Sequence, residues 1–338
     1  MVERERLMRE RVKEGGSYFS APKTSLSFIP TGSKMLDLAL GGGWIENRVA
    51  NIIGDKATGK SLLCIEACAN FVAKHDDGKI MYRECEAAFD PQYAEALGMP
   101  LDRVDFGDKL STVEDLFEDL TEVLKQAKKY PILYIVDSLD SLSDRDEMDR
   151  DIDKGSFGAA KAKKMSEMFR RLIREMEKSK VTLLIVSQIR DNIGVTFGRT
   201  WTRSGGRALD FYSSQTLVLA QKGQLKKTIK GVERPIGIAL KAKVDKNKVS
   251  LPFREAEFNL SFGYGIDDIP SCLEWLKTTK ALDLLDIEKD DIKPYLKSLD
   301  QMDDAEYARA VKRIHKVVTA RWYEIESSFM PKRSKYRR

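Results

Sequence analysis

Val49-Ala50-Asn51-Ile52-Ile53-Gly54-Asp55-Lys56-Ala57-Thr58-Gly59-Lys60-Ser61-Leu62 is the stretch on which the reading of this 338-residue chain turns. Its first five residues carry no charge and fit a strand buried on both faces, and an apolar helical pattern begins at Leu62. Between them Gly54, Asp55, Lys56, Ala57, Thr58, Gly59, Lys60 and Ser61 match G-x4-G-K-S in the strand-loop-helix setting that motif requires. Glycines permit a tight loop whose backbone N–H groups converge on phosphate oxygens, and the helix N-terminus adds a field that favours negative charge. Lys60 is expected to reach the β- and γ-phosphates of ATP, and the Ser61 hydroxyl to ligate Mg2+.

Working outward, similar short apolar runs recur at Ile80-Met81-Tyr82, Ile132-Leu133-Tyr134-Ile135-Val136, Val181-Thr182-Leu183-Leu184-Ile185-Val186 and Thr216-Leu217-Val218-Leu219. Helical patterns separate them. Met165, Met168, Phe169, Leu172, Ile173 and Met176, for instance, repeat at helical spacing and read as a core-facing stripe. This alternation predicts an α/β fold with a mostly parallel, doubly wound sheet. Beyond Pro270 the pattern is wholly helical: Tyr307, Val311, Ile314, Val318, Trp322 and Ile325 share one face, and Asp303 and Glu306 stand at capping-box spacing ahead of it. The expected organisation is an N-terminal polymerisation arm at 1–30, an ATPase core at 31–269, a small helical domain at 270–330 and a basic tail at 331–338.

A second carboxylate is expected at the end of a neighbouring buried strand, and Asp137 follows Val136 there. It would hold Mg2+ through water, although an Asp after a strand also serves as a helix cap. The net charge of +5 is a mild surplus, concentrated in Pro331-Lys332-Arg333-Ser334-Lys335-Tyr336-Arg337-Arg338, a tail that either stays solvated or adds phosphate contacts. Cys64, Cys68, Cys85 and Cys272 show neither CxxC spacing nor a disulfide framework, which fits a reducing compartment and not structural zinc. No apolar run approaches the roughly 20 residues that span a bilayer, and the first residues lack a secretory apolar core, so a cytoplasmic protein is expected, in a host cytoplasm if phage-encoded.

From residue 28 to 268 the chain resembles the bacterial and phage RecA family. Glu84-Cys85-Glu86-Ala87-Ala88-Phe89-Asp90-Pro91-Gln92-Tyr93 is similar to the family segment carrying the catalytic carboxylate and the adenine contacts. The resemblance implies that Glu86 activates the attacking water, Asp90 meets the adenine amino group and Tyr93 stacks on the base. Ala87 stands where well-known members have His. Strand alternation does not separate Glu86 from Glu84. Ser187-Gln188-Ile189-Arg190 continues into a stretch ending Gly205-Gly206-Arg207-Ala208-Leu209-Asp210-Phe211-Tyr212 that resembles the family's second DNA loop. By that resemblance Gln188 senses the γ-phosphate, while Arg190, Ile193, Gly194, Phe197, Ser204, Gly205, Gly206 and Arg207 meet DNA. Charge and paired glycines suit phosphates, and an apolar wedge unstacks bases at a cost of a few kcal/mol per step.

Residues 151–158 sit where the family has its first DNA loop, with Phe157 as the apolar member. Lys163, Ser166 and Arg170 on the following helix meet phosphates by the same alignment, or form a solvated face. Lys246-Asn247-Lys248 resembles the family's lysine pair that contacts ATP of the neighbouring subunit, where it would offset charge building on the γ-phosphate. The resemblance implies a RecA-type core, ATP and Mg2+ as ligands, single-stranded and homologous double-stranded DNA as partners, self-association into a helical filament, and a DNA-dependent ATPase that catalyses strand exchange. A hexameric helicase-like motor and a non-hydrolysing single-strand mediator are the alternatives.

Overall fold

The computed structural model describes residues 26–86, 89–107, 110–127, 129–148, 158–191, 201–203 and 206–333. Strands Phe28–Ile29 (β1) and Trp44–Ile45 (β2) pair antiparallel around helix Lys34–Leu40 (α1). Val49–Gly54 (β3) leads into Lys60–Lys74 (α2), Lys79–Glu84 (β4) into Pro91–Ala96 (α3), and Val104–Gly107 (β5) into Val113–Gln126 (α4). Ile132–Asp137 (β6) is followed by Arg145–Met148 (α5) and the long helix Gly158–Lys178 (α6). Val181–Gln188 (β7) runs into the ribbon Arg190–Asp191 (β8) and Trp201–Thr202 (β9), then helix Gly206–Tyr212 (α7). Next come a long hairpin, Gln215–Ile229 (β10) and Val232–Asn247 (β11), and strands Glu255–Ser261 (β12) and Gly265–Asp267 (β13). Helices Asp268–Thr278 (α8), Ile292–Leu299 (α9) and Asp304–Ser328 (α10) complete the chain.

One nine-stranded sheet organises these elements, in the order β13-β12-β11-β10-β3-β7-β6-β4-β5. The stretch from β10 to β5 is parallel throughout, and β11, β12 and β13 add an antiparallel edge. Parallel strands need both faces covered. On one face Ile52, Leu63, Phe71, Leu240 and Phe258 are buried with residues of α8 and α10, and on the other Val49, Tyr134, Met165 and Phe169 are buried with α4. The methionine stripe of α6 is part of that second core, as its spacing indicates.

At two of the three expected boundaries, 30/31 and 269/270, residues on the two sides pack together. Phe28 and Ile29 pair with Ile45 and Trp44, and Ile29 is fully buried, so the core includes residues ahead of position 31. Residue 270 lies within α8, whose Cys272, Leu273 and Leu276 are buried in the same cluster as Ile52 and Leu63. The arm at 1–25 and the last residues of the tail lie outside the described residues.

The parallel register sets the chemistry at one edge. Gly54 aligns with Gln188 and Glu84 with Asp137, so the carboxyl ends of β3, β4, β6 and β7 open on the same crevice. Such a crevice is where open α/β sheets bind ligands. Asn51, buried in β3, donates to Ile185 O at 2.8 Å and Ser187 Oγ at 2.9 Å, holding β3 against β7 there.

Candidate nucleotide-binding site

Gly59 caps α2 in the left-handed region at φ 76° and provides no side-chain cap, so the first N–H groups of the helix are left for an anion. A Cβ on Gly54 would stand 2.4 Å from Thr58 Oγ1, whose hydroxyl donates to Asp55 O at 2.8 Å, so glycine lets the loop close on itself. Lys60 Nζ donates to Asp55 O at 2.7 Å. Burial draws the pKa of Lys60 down, and Asp137, Glu86, Asp55 and Asp140 oppose that shift.

Asp137 is nearly buried at the end of β6. Burial raises its carboxyl above the usual range, hydrogen bonds from Ser61 and Tyr82 oppose this, and Glu86 and Glu84 reinforce it. Tyr82 Oη donates to Asp137 Oδ2 at 2.8 Å. A surplus of carboxylates around one lysine, with hydroxyl and carboxylate oxygens as the available donors, suits a hard divalent cation.

Glu86 completes the crevice. Its Oε1 accepts from Ser138 Oγ and, at 2.8 Å, from Gln188 Nε2. Glu84 turns to the backbone and accepts from Glu86 N at 2.9 Å. Both carboxylates that strand alternation left unresolved line the crevice, and Glu86 is the one linked to Gln188. Gln188 is fixed in turn, its backbone N donating to Asp140 Oδ2 at 2.7 Å.

Two hollows form a continuous trough. The phosphate end, about 340 Å³, is lined by residues 56–62 with Glu86, Asp137 and Gln188. The other end, about 170 Å³, shares Ser61, Leu62, Glu86 and Asp137 and adds Ile65, Glu84, Phe89, Asp90 and Tyr93. Asp90 is the N-cap of α3 and accepts from Tyr93 N at 3.1 Å, so the carboxylate and the aromatic ring stand at one helix start.

One residue beyond the strand carrying Gln188, β8 pairs with β9 on either side of the 192–200 segment. Phe157, Ile193, Gly194, Phe197, Ser204, Gly205 and Ala87 lie outside the described residues, as do the side chains of Arg190 and Arg207. Gly206 begins α7. Lys163 and Arg170 are exposed on α6 and Ser166 is half-buried.

Lys246 and Lys248 stand well away from this crevice. Lys246 pairs with Thr216, which aligns with Asn51, on the order of 10 Å below Gly54 along the strand and two strand spacings away. Their ammonium groups donate to Phe211 O at 2.9 and 3.1 Å, and Lys246 also to Asp210 O, at the C-terminal end of α7. The lysine pair therefore holds the helix that follows the 192–205 segment and does not approach this chain's own phosphate loop.

Sequence reasoning missed Tyr82, Ser138 and Asp140, which orient Asp137, Glu86 and Gln188. A phenol inside an apolar strand was the available signal for Tyr82, since a buried hydroxyl needs a partner. It also missed Lys161, buried in α6, whose ammonium donates to Leu139 O at 3.0 Å and to Leu142 O, tying α6 to the segment after Asp137.

Comparison with known proteins agrees with this geometry. The family model described as the RecA N-terminal domain matches residues 14–267. The chain is 36% identical over 252 residues to Protein RecA of Fusobacterium nucleatum, covering 73% of this chain and 63% of that protein. It is 36% identical over 264 residues to Protein RecA of Prochlorococcus marinus, covering 78% and 67%, and 35% identical over 252 residues to Protein RecA of Thermus thermophilus, covering 73% and 71%. The alignments thus span about two thirds of the relatives' own length, and residues 14–267 of the family match contain the whole of the crevice: the chain belongs to the RecA family of recombinases.

Proposed function

We propose that this protein is a DNA-dependent ATPase that polymerises on single-stranded DNA and pairs it with a homologous duplex, in recombination and repair. The observation that carries the proposal is the position of Gln188. Its side chain holds Glu86, and a single residue, Ile189, separates its strand from the β8–β9 ribbon. A change in how Glu86 is engaged is therefore felt at the base of the loop, and the converse holds by linkage.

In this reading the N–H groups of the 54–61 loop cradle the triphosphate, and Lys60 leaves Asp55 O for the β- and γ-phosphates. Ser61 and Asp137 would hold Mg2+, which supplies charge neutralisation between the β and γ oxygens. Glu86, held by Ser138 and Gln188, positions the attacking water. Asp90 and Tyr93 take the base. Arg190, Arg207, Ile193 and Phe197 grip the strand, with Phe157 and the α6 positions Lys163, Ser166 and Arg170 as an accessory surface. Lys246 and Lys248 act on the neighbouring subunit's ATP, because their own phosphate loop is out of reach. Among the described residues no helix is long and apolar enough to cross a membrane, and the reading places the protein with DNA in the cytoplasm.

The test is ATP hydrolysis with and without single-stranded DNA, alongside electron microscopy with a slowly hydrolysed analogue. DNA-stimulated turnover on open helical filaments is expected, and Glu86→Gln should cut turnover by about 10²- to 10⁴-fold while nucleotide still binds. Closed rings, or full turnover by lone subunits indifferent to DNA, would refute the reading.

A further inference from the structure

Away from the nucleotide trough, three chemically different donors meet where the C-terminal helix docks on the ATPase core. Asp268 opens α8 and Cys272 follows one turn later on the same helix, while His315 arrives from the middle of α10. One carboxylate oxygen, the thiol sulfur and one imidazole nitrogen all lie within 4.8 Å of one another. His315 Nε2 is 2.7 Å from Asp268 Oδ2, and Cys272 Sγ is 3.7 Å from Asp268 Oδ1. Lys34 N donates to the same Oδ1 at 2.7 Å, fixing the carboxylate from the opposite side.

We propose that Asp268, Cys272 and His315 form a binding site for a divalent transition metal of the zinc class, which ties α10 to α8. Zinc takes sulfur at about 2.3 Å and nitrogen and oxygen at about 2.0–2.2 Å in a tetrahedron, so its donors stand roughly 3.3–3.7 Å apart. The cluster reaches that spacing if the Asp268–His315 pair opens slightly and the sulfur closes in. Thiolate and imidazole select zinc, cobalt or nickel over magnesium, which sets this site apart from the all-oxygen pair Ser61 and Asp137.

Access has the polarity such a site needs. Cys272 is fully buried, whereas a third of the His315 side chain is exposed, so an ion enters past the imidazole and a water supplies the fourth ligand. Burial and Asp268 keep the Cys272 thiol well above its ordinary pKa and therefore protonated. Binding displaces that thiol proton to solvent, and the proton that His315 Nε2 donates to Asp268 must also leave that nitrogen before it can ligate, so that the bound ring carries its proton on Nδ1. An Asp–His ion pair alone would account for two of the three residues. One helical turn brings the buried Cys272 thiol to the same carboxylate, so the third donor is already in place. Ligands at 268, 272 and 315 with a single cysteine make no spacing motif, so cysteine counting does not detect them.

The test uses the full-length protein, reduced, stripped with chelator and free of nucleotide and Mg2+, titrated with Co(II) alone. One equivalent should bind with a thiolate-to-cobalt charge-transfer band and four-coordinate visible bands, and Zn(II) should displace both. Zn(II) should also raise Tm. His315→Ala, a change at the solvent side of the cluster, should weaken binding at least tenfold and abolish the Tm rise, with ATP binding kept as the check on folding. Cys272→Ser should remove the charge-transfer band. Absence of the band in the native protein overturns the proposal. So does a band that survives Cys272→Ser, which would place the ion on Cys64, Cys68 or Cys85, or a Tm rise that survives His315→Ala.

Discussion

Lys246 is half-buried beside Lys248, with its ammonium on the carbonyls that end α7. Burial and the Lys248 cation lower its pKa to about 8, well under the usual lysine value. Below pH 7 the group is charged in the free subunit; as pH rises through 8 it gives up the proton. If the charged form must reach the neighbour's triphosphate, each pH unit above 8 weakens assembly by up to about tenfold. DNA-stimulated hydrolysis at subsaturating ATP should therefore fall between pH 7.5 and 9. Lys246→Arg, whose charge persists across this range, should flatten the profile; an unchanged inflection would detach Lys246 from the effect. The residues of the phosphate loop were legible in the sequence because their spacing is local. Glu86 was legible only as one of two candidates. What distinguishes it from Glu84 is its contact with Ser138 and Gln188, which are 52 and 102 positions away and meet it only through the fold.

At the scale of elements, the loop-to-helix junction at Gly59 joins binding to packing. A Cβ there would stand 2.8 Å from Leu260 Cδ1 and 3.3 Å from Leu240 Cδ1, on a backbone already at φ 76°. Strands β11 and β12 thus form the floor on which the phosphate loop rests. Gly59→Ala should cost about 1–3 kcal/mol through left-handed strain and contact, and should weaken nucleotide binding as well. Urea unfolding and titration with a fluorescent ATP analogue would read the two losses, and a variant that loses neither would separate loop from floor. The parallel strands were legible because burial on both faces leaves uninterrupted apolar runs. The reading of β10 stopped at Leu219, yet the strand continues to Ile229, and its partner β11 begins at Val232. Past Gly54 β10 has no neighbour on its β3 side, so Lys222, Lys226 and Lys227 face solvent and the pattern that marks a buried strand ends while the pairing with β11 continues.

Across the whole molecule, the C-terminal helices and the ATPase sheet share one interior. Ile314, Val318 and Trp322 of α10 are buried in the cluster that contains Ile52 and Leu63, and the Trp322 ring lies 5.8 Å from that of Trp275 in α8. Polar contacts follow the same seam: Arg254 pairs with Glu326, and Arg321 Nη2 donates to Thr279 O at 2.6 Å. The helical periodicity beyond residue 270 was legible, but not which surface it covers, because an amphipathic stripe does not name its partner. If the interior is common, residues 26–333 unfold as one cooperative unit. Far-ultraviolet circular dichroism and tryptophan fluorescence should then give coincident urea transitions. Trp322→Ala, which empties a large buried volume, should lower that single midpoint by an amount worth about 3–5 kcal/mol without changing the slope. Two separated transitions, with only the weaker one moved by the substitution, would mean that α8 to α10 fold as a domain of their own and that the nucleotide crevice does not depend on them.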